Sequence, residues 1–297
     1  MKTSNRYQNK YSINHSQNFI HSELLSEKII ALCSIKQGDS IIEIGPGKGA
    51  LTKYLIGTKA NITAIEKDNT LFSYLKSLFQ NETTVHFVNQ DFLEYQLPLK
   101  EDLIIIGNIP FALTTAILEK VLQPKLKIKK IVIIVQKEAA QRLIGPDNKG
   151  KIESLFSLRY KPYFTTKILY RFLKTDFHPL PSVDTILLEI TRKDSLDMSF
   201  FDYKGYLNFI SYCFSSWKPS VNDVLKLLFS NLQRKIIQNA TGINLYRKPT
   251  ELSYSEWITL FQSFLEQAPL HKKKLIANAA DEMAVREKEL VKIFRKR

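Results

Sequence analysis

Along the first two-thirds of the chain, hydrophobic positions fall into short runs that are apolar on both faces. They are "SIIEI" (40–44), "ITAIE" (62–66), "VHFVNQD" (85–91), "LIIIG" (103–107) and "KIVIIVQ" (130–136). Runs of this length, rich in β-branched residues, suit strands buried on both sides of a parallel sheet. Between them lie segments with helical spacing: "GALTKYLIG", "DNTLFSYLKSLF", "TTAILEKVLQ" and "KEAAQRLI". An earlier one, "SELLSEKIIALC", starts at Ser22, a residue type suited to capping a helix. Strand and helix alternating in this way predict a doubly wound α/β sheet. The runs at 163–172 and 185–192 have no helix between them, which predicts an antiparallel hairpin at the sheet edge. From about "RKDSLDMS" (192–199) onward the chain turns helical and polar. The pattern predicts an α/β domain over 1–192, a small all-helical domain over 193–267 and a basic helical C-terminal extension over 268–297.

Charge narrows the class of partner. The 297 residues hold 43 Lys and Arg against 29 Asp and Glu, a formal net charge of +14. That is a large excess for an enzyme of small neutral metabolites. It favours a polyanion, because Lys and Arg gain affinity by releasing counterions from phosphates. Cys33 and Cys213 are the only cysteines and form no C-x-x-C pair, which fits a reducing compartment and argues against structural zinc. No metal-ligand spacing is present. The N-terminus has Lys2, Arg6 and Lys10 but no apolar core of a signal peptide, and no run reaches membrane-spanning length. The expectation is a cytoplasmic monomer with no membrane contact.

"IIEIGPGKGALT" sets Gly45, Gly47 and Gly49 between a strand and a helix. Glycines there let the backbone come close to a ligand, and the helix N-terminus behind them offers unpaired N–H groups. With Ala50 the loop also satisfies the loose dinucleotide pattern G-x-G-x-x-G/A, so nicotinamide and S-adenosylmethionine both remain open at this point. Glu66, ending the next strand, can accept from a ribose diol in either case. Asp91, ending the third, can accept from the exocyclic amine of an adenine. Glu43, two residues before Gly45, is placed to organise the loop.

Six motifs in order give this chain a family resemblance. "SQNF" (16–19), "EIGPGKGALT" (43–52), "IEKD" (65–68), "QDF" (90–92), "NIPF" (108–111) and "FHPLPSVDT" (177–185) resemble those of the ribosomal-RNA adenine-N6 methyltransferases over roughly residues 6–265. That family comprises the erythromycin-resistance (Erm) enzymes and the small-subunit rRNA dimethyladenosine transferases. The resemblance implies a Rossmann-like S-adenosylmethionine-dependent methyltransferase sheet with a helical rRNA-binding domain. Lys48 in "GPGKG", Ile109 in "NIPF", "FHPLPSVD" and the Trp217-Lys218 stretch resemble the resistance branch. This implies 23S rRNA as partner and resistance to macrolides, lincosamides and streptogramin B. The alternatives are a 16S rRNA dimethyltransferase of ribosome assembly and a non-catalytic rRNA-binding or transcription-factor descendant.

The chemistry then distributes over named residues. The amine of adenine is a poor nucleophile, since its lone pair is delocalised into the ring. Acceptors on both amine hydrogens, the Asn108 side-chain oxygen and the Ile109 carbonyl, draw the nitrogen toward tetrahedral geometry. Pro110 stiffens the turn and adds no donor. Phe111 offers a ring for a base that has left its stack. Most relatives carry tyrosine at that position, so only the phenol hydroxyl is missing. By resemblance, Phe177 covers the base's other face, and Asn18 with the Ile20 backbone closes over the methionine end of the cofactor. Gly45, Gly47, Glu66, Asp91 and Asn108 complete the expected cofactor contacts. The segment "GPDNKGK" (145–151) reads as a basic loop within reach of RNA phosphates.

Overall fold

The structure, a computed structural model, describes residues 19–99, 102–145, 152–216 and 218–295. Asn18, Trp217 and residues 146–151 of the basic loop lie outside the described residues.

Elements in chain order are β1 (Phe19–Ile20), α1 (Glu23–Leu32), β2 (Ser40–Ile44), α2 (Thr52–Gly57), β3 (Asn61–Glu66), α3 (Asn69–Leu78), β4 (Val85–Asn89) and β5 (Leu103–Asn108). A single 3₁₀ turn (Phe111–Leu113) leads into α4 (Thr114–Val121), followed by β6 (Ile128–Gln136), α5 (Lys137–Ile144), α6 (Leu155–Tyr160), β7 (Phe164–Arg171), β8 (Phe177–His178) and β9 (Thr185–Arg192). Helices then follow one another: α7 (Phe200–Ser215), α8 (Val221–Leu225), α9 (Asn231–Thr241), α10 (Tyr254–Gln267), α11 (Leu270–Leu275) and α12 (Ala279–Arg295). The chain divides into two compact units. Described residues up to Ala139, with Lys167–Ile190, form the first; Ala140–Thr166 and the residues from Thr191 onward form the second.

Seven strands form the main sheet in the order β4-β3-β2-β5-β6-β9-β7. β4, β3, β2, β5 and β6 pair in parallel, as expected of strands joined through helices; β4, at the sheet edge, has no buried residue, so the expectation that its run is buried on both faces does not hold. The expected edge hairpin is there too. Phe172 N donates to Thr185 O and Lys193 N to Tyr163 O, which runs β7 antiparallel to β9. Local chemistry sets the helix starts: Ser22 Oγ accepts from Leu25 N at 3.2 Å, and Asp68 caps α3 by accepting from Thr70 N and Leu71 N at 2.8 and 2.9 Å. The first unit's core gathers Ile29, Ile41, Leu55, Ile62, Ile104, Ile106, Val132 and Leu187, all buried. β1 and β8 form a small second sheet outside the hydrophobic pattern, because two-residue strands carry no readable period.

The second unit is helical with an aromatic core. Phe209 stacks on Phe264 at 5.1 Å and meets Trp257 at 6.1 Å and Phe261 at 5.8 Å. Residues 140–166, which the sequence pattern groups with the α/β domain, pack here instead. Backbone groups explain it: Tyr203 donates its hydroxyl to Arg159 O at 2.7 Å, Tyr206 to Leu158 O at 3.2 Å, and Glu153 N donates to Thr250 O at 2.7 Å. Buried phenols need acceptors, and α6 supplies them from its exposed-carbonyl end.

Candidate active site

The central parallel strands all end on the same side, and at that end the first unit has a pocket. Its walls are Phe19, Ile20, Glu43, the loop Gly45–Lys48, Ala50, Leu51 and the four residues Asn108–Phe111. The two motifs meet because β2 and β5 are neighbours in register, with Ile44 opposite Gly107. Gly107 is required for that approach: a Cβ there would stand 2.6 Å from Ile44 O. So the residue before Asn108 is small in order that Asn108 can face the glycine loop, a need that "IIIGN" does not announce by itself.

The loop has a positive φ at Gly45 (62°) and Gly47 (60°), conformations that disfavour a side chain. Around Gly45 a Cβ would meet nothing within 4 Å, so the loop leaves open space beside its backbone, a fit for a ligand that approaches closely. Around Gly47 it would come within 3.0 Å of the Phe19 ring. Phe19 thus forms a wall of the site, and the Lys48 ammonium lies 5.4 Å from its ring centre. The sequence reading quoted Phe19 within "SQNF" but gave it no role.

Two buried carboxylates hold the loop. Glu66, 3% exposed, accepts from Gly47 N at 3.0 Å through one oxygen and from Asp68 N at 2.9 Å through the other. A carboxylate has about four acceptor positions, so each oxygen keeps capacity for a hydroxyl donor. Glu43, 1% exposed, accepts from the Thr52 hydroxyl at 2.8 Å and ties β2 to the first turn of α2. Burial pushes its carboxyl up to about 7, with the Thr52 bond opposing and the Glu66 charge adding.

Asp91 stands just past β4, beside the end of β3. One oxygen takes Leu93 N at 2.8 Å and the other the Lys67 ammonium at 2.7 Å. The Lys67 bond, first, holds its carboxyl below the usual range, against the effect of partial burial. Asp91 and Glu66 lie at adjacent strand ends outside the pocket lining, joined to it through the Glu66–Gly47 bond.

At the other wall, Asn108 and Phe111 are half-buried and Ile109 is 2% exposed. Pro110, at φ −58°, turns the chain into the 3₁₀ segment, and its carbonyl accepts from Leu113 N at 2.9 Å. The structure therefore brings Ile20, Gly45, Gly47, Asn108, Ile109, Pro110 and Phe111 together. Phe177 is placed differently from the role the resemblance implied. It is 1% exposed, pairs with Ile20 through the small sheet, and meets Phe172 edge to face at 5.1 Å. A ring sealed in the core presents no face to a base, and Phe177 is no part of the pocket wall. Its link to the site is structural: β8 carries β1, which carries Phe19 and Ile20. Among the described residues no group of His, Cys, Asp or Glu could hold a metal ion, and no helix is long and apolar enough to cross a membrane.

The family model described as ribosomal RNA adenine dimethylase matches residues 8–266. The ribosomal RNA small subunit methyltransferase A of Francisella tularensis subsp. tularensis is 28% identical over 261 residues, covering 86% of this chain and 98% of that protein. The same-named protein of Francisella tularensis subsp. novicida matches to the same extent. Among solved structures, the 23S rRNA methyltransferase ErmE superimposes with a TM-score of 0.74 at 22% identity, covering 83% of this chain and 99% of that one. A dimethyladenosine transferase from Plasmodium falciparum gives 0.66 at 21% identity, covering 84% and 98%. At these identities the two structures speak for the fold.

Proposed function

The chain belongs to the ribosomal RNA adenine dimethylase family and is an S-adenosylmethionine-dependent rRNA adenine methyltransferase; we propose that its target adenine lies in 23S rRNA and that its methylation confers macrolide, lincosamide and streptogramin B resistance. The observation that carries this reading is the resistance-type wording of three motifs in one chain: "GPGKG", "NIPF" and "FHPLPSVD". The second reading, a 16S rRNA dimethyltransferase, is favoured by the names of the Francisella relatives.

In this reading the glycine loop and the two strand-end carboxylates hold the cofactor. Gly45 and Gly47 give backbone access, Glu66 accepts from the ribose hydroxyls, and Asp91 accepts from the adenine amine while keeping its Lys67 bridge. Ile20 borders the methionine end, with Asn18 assigned there by resemblance. When bound, S-adenosylmethionine supplies an electrophilic methyl on a sulfonium sulfur. The protein prepares the other reactant. The Asn108 amide oxygen and the Ile109 carbonyl accept the two hydrogens of the target N6, localising its lone pair and stabilising the positive charge that grows there. Phe111 stacks the extruded base, recovering about 1–3 kcal/mol against the cost of unstacking. No general base is needed, because the nitrogen, once cationic, gives its proton to water.

The test incubates the protein with S-adenosylmethionine and protein-free 23S and 16S rRNA separately, then maps N6-methyladenosines by mass spectrometry of digests. We expect one modified adenine in 23S rRNA and raised macrolide tolerance in cells that express the protein. Modification confined to 16S rRNA would replace this reading by the second.

A further inference from the structure

The family match ends at residue 266, and the 31 residues after it are strongly basic: residues 268–297 hold nine Lys and Arg against four Asp and Glu. A free tail of this composition would be an unremarkable solvated charge run. This one is built into the second unit. Ala268 and Ile276 are buried at 5% and 2% exposure. Asn208, on α7 and 6% exposed, uses both halves of its amide on the turn between α11 and α12: Nδ2 donates to Ala277 O at 2.7 Å and Oδ1 accepts from Ala280 N at 3.1 Å. Farther on, Glu287 bridges Arg159 of α6 at 3.2 Å. A buried amide with both ends satisfied by one backbone turn fixes that turn, since leaving either end unmade costs about 1–3 kcal/mol.

What the docking fixes is α11, "LHKKKL", and its charge is not neutralised. Several cations of the second unit are paired: Lys161 with Glu153, Lys193 with Asp197, Lys226 with Asp223, and Arg247 with Glu256. Among the described residues no carboxylate pairs with Lys272, Lys273 or Lys274; Lys273 instead donates its ammonium to the Leu265 carbonyl in the last turn of α10. Lys273 is thus an anchor. Lys272 and Lys274 are left as two fixed, uncompensated cations, half-buried and exposed respectively.

We propose that the docked extension, which lies beyond the family match, is an RNA-binding surface, with Lys272 and Lys274 on the phosphates of the rRNA substrate. The inference rests on the rRNA reading above and adds to it a place on the protein. Holding the lysines on a helix anchored by buried residues at both ends, Ala268 and Ile276, lowers the ordering cost that a flexible basic tail would meet on binding. The exposed Leu270 and Leu275 beside them make an anionic membrane the competing occupant. Phosphodiester is favoured because the family's substrate is RNA.

The test uses the full chain and a Lys272→Gln/Lys274→Gln variant, whose changes touch no pocket residue. Binding of a fluorescein-labelled RNA stem-loop with single-stranded flanks is followed by anisotropy over a series of salt concentrations. Each lost phosphate contact should lower the slope of log affinity against log salt by about 0.7–0.9, so the double variant should lose about 1.5 in slope. Its melting temperature should stay unchanged. A variant slope equal to wild type would overturn the proposal, and so would an unchanged RNA slope with lost binding to phosphatidylserine vesicles. Failure of the parent reading looks different: the wild-type chain would then transfer no methyl to either rRNA, whatever the slopes.

Discussion

At the end of β3, Glu66 is buried and gives both carboxylate oxygens to backbone N–H groups; at the end of β5, Asn108 and Phe111 stand half-buried on the pocket wall. The two strand ends border one site and are built on opposite terms. The glycine-loop side is a closed polar lattice, with Glu43 on Thr52 and Glu66 on Gly47 and Asp68, whose geometry is part of the fold. The Asn-Ile-Pro-Phe side is anchored by buried Ile109 and by the tight Gly107–Ile44 approach, and Asn108 and Phe111 line the pocket half-buried. A site of this kind separates two demands. On the proposed reading, the cofactor side is preorganised by burial, and the base side stays accessible to a large polymer. Substitutions on the closed side should therefore register first in stability, and those on the open side in turnover.

The largest effect should come from Phe177, which the resemblance placed with the base and the structure places in the core. Phe177→Ala removes a ring that is 1% exposed and in contact with Phe172, so a stability loss of about 3–5 kcal/mol is expected. Calorimetric melting checks it. A variant that melts like wild type yet fails on RNA would return Phe177 to the base.

On the open side, Asn108→Ala should lower kcat by about two to three decades, the size seen when one preorganised polar group is removed at a developing charge. Melting temperature should change little, because Asn108 is half-buried at the pocket wall, and any fall in cofactor affinity should be small beside the loss of turnover. Single-turnover kinetics with saturating RNA make the measurement. Turnover near wild type would remove Asn108 from the reaction.

Glu43 sharpens the closed side through pH. Its carboxyl is raised from an ordinary 4.5 to about 7, chiefly by burial. Folding therefore takes up a proton between those values. The stabilisation is fully present below pH 4.5 and is lost as pH rises through 7. With each pH unit between the two being about 1.4 kcal/mol, the whole effect is at most about 3.5 kcal/mol. Glu43→Gln keeps an acceptor for Thr52 and removes the titration. Its melting temperature should fall less between pH 4.5 and 7 than wild type. Parallel curves for the two proteins would show that the buried carboxyl does not titrate there.

The same contrast explains what was legible in the sequence. β2, β3, β5 and β6 could be read because strands buried largely on both faces leave nearly unbroken apolar runs; β4, at the sheet edge and half-exposed, could be read from its β-branched and aromatic residues, and Ser22 because capping is local. The pocket residues Gly45, Gly47, Asn108, Ile109 and Phe111 could be read because they follow such runs directly. Phe19 could not be given its place, since its position on Gly47 depends on a two-residue strand paired with Phe177 and His178, far along the chain. Phe177 misled for the same reason, because burial is a property of the assembled core and not of "FHPLP". Residues 140–166 went to the wrong unit because the phenols that hold them, on Tyr203 and Tyr206, lie on a helix some forty residues later.

Phe111 gives the smallest and most discriminating effect. Its ring is half-buried and lines the pocket, and it belongs neither to the buried core nor to any ring pair described here. Phe111→Ala should cost the base a stacking contact of about 1–3 kcal/mol, or about one to two decades in kcat/KM. Melting temperature and cofactor affinity should stay close to wild type, in contrast to Phe177→Ala. Phe111→Tyr keeps the ring and restores the residue usual in the family, so it should remain active within a few-fold. The pair of variants separates stacking from packing, since truncation of a core ring would lower stability and cofactor binding together. If Phe111→Ala instead melts early and loses the cofactor, both walls of the pocket belong to the fold, and the distinction between a closed and an open strand end fails at the residue that defines it.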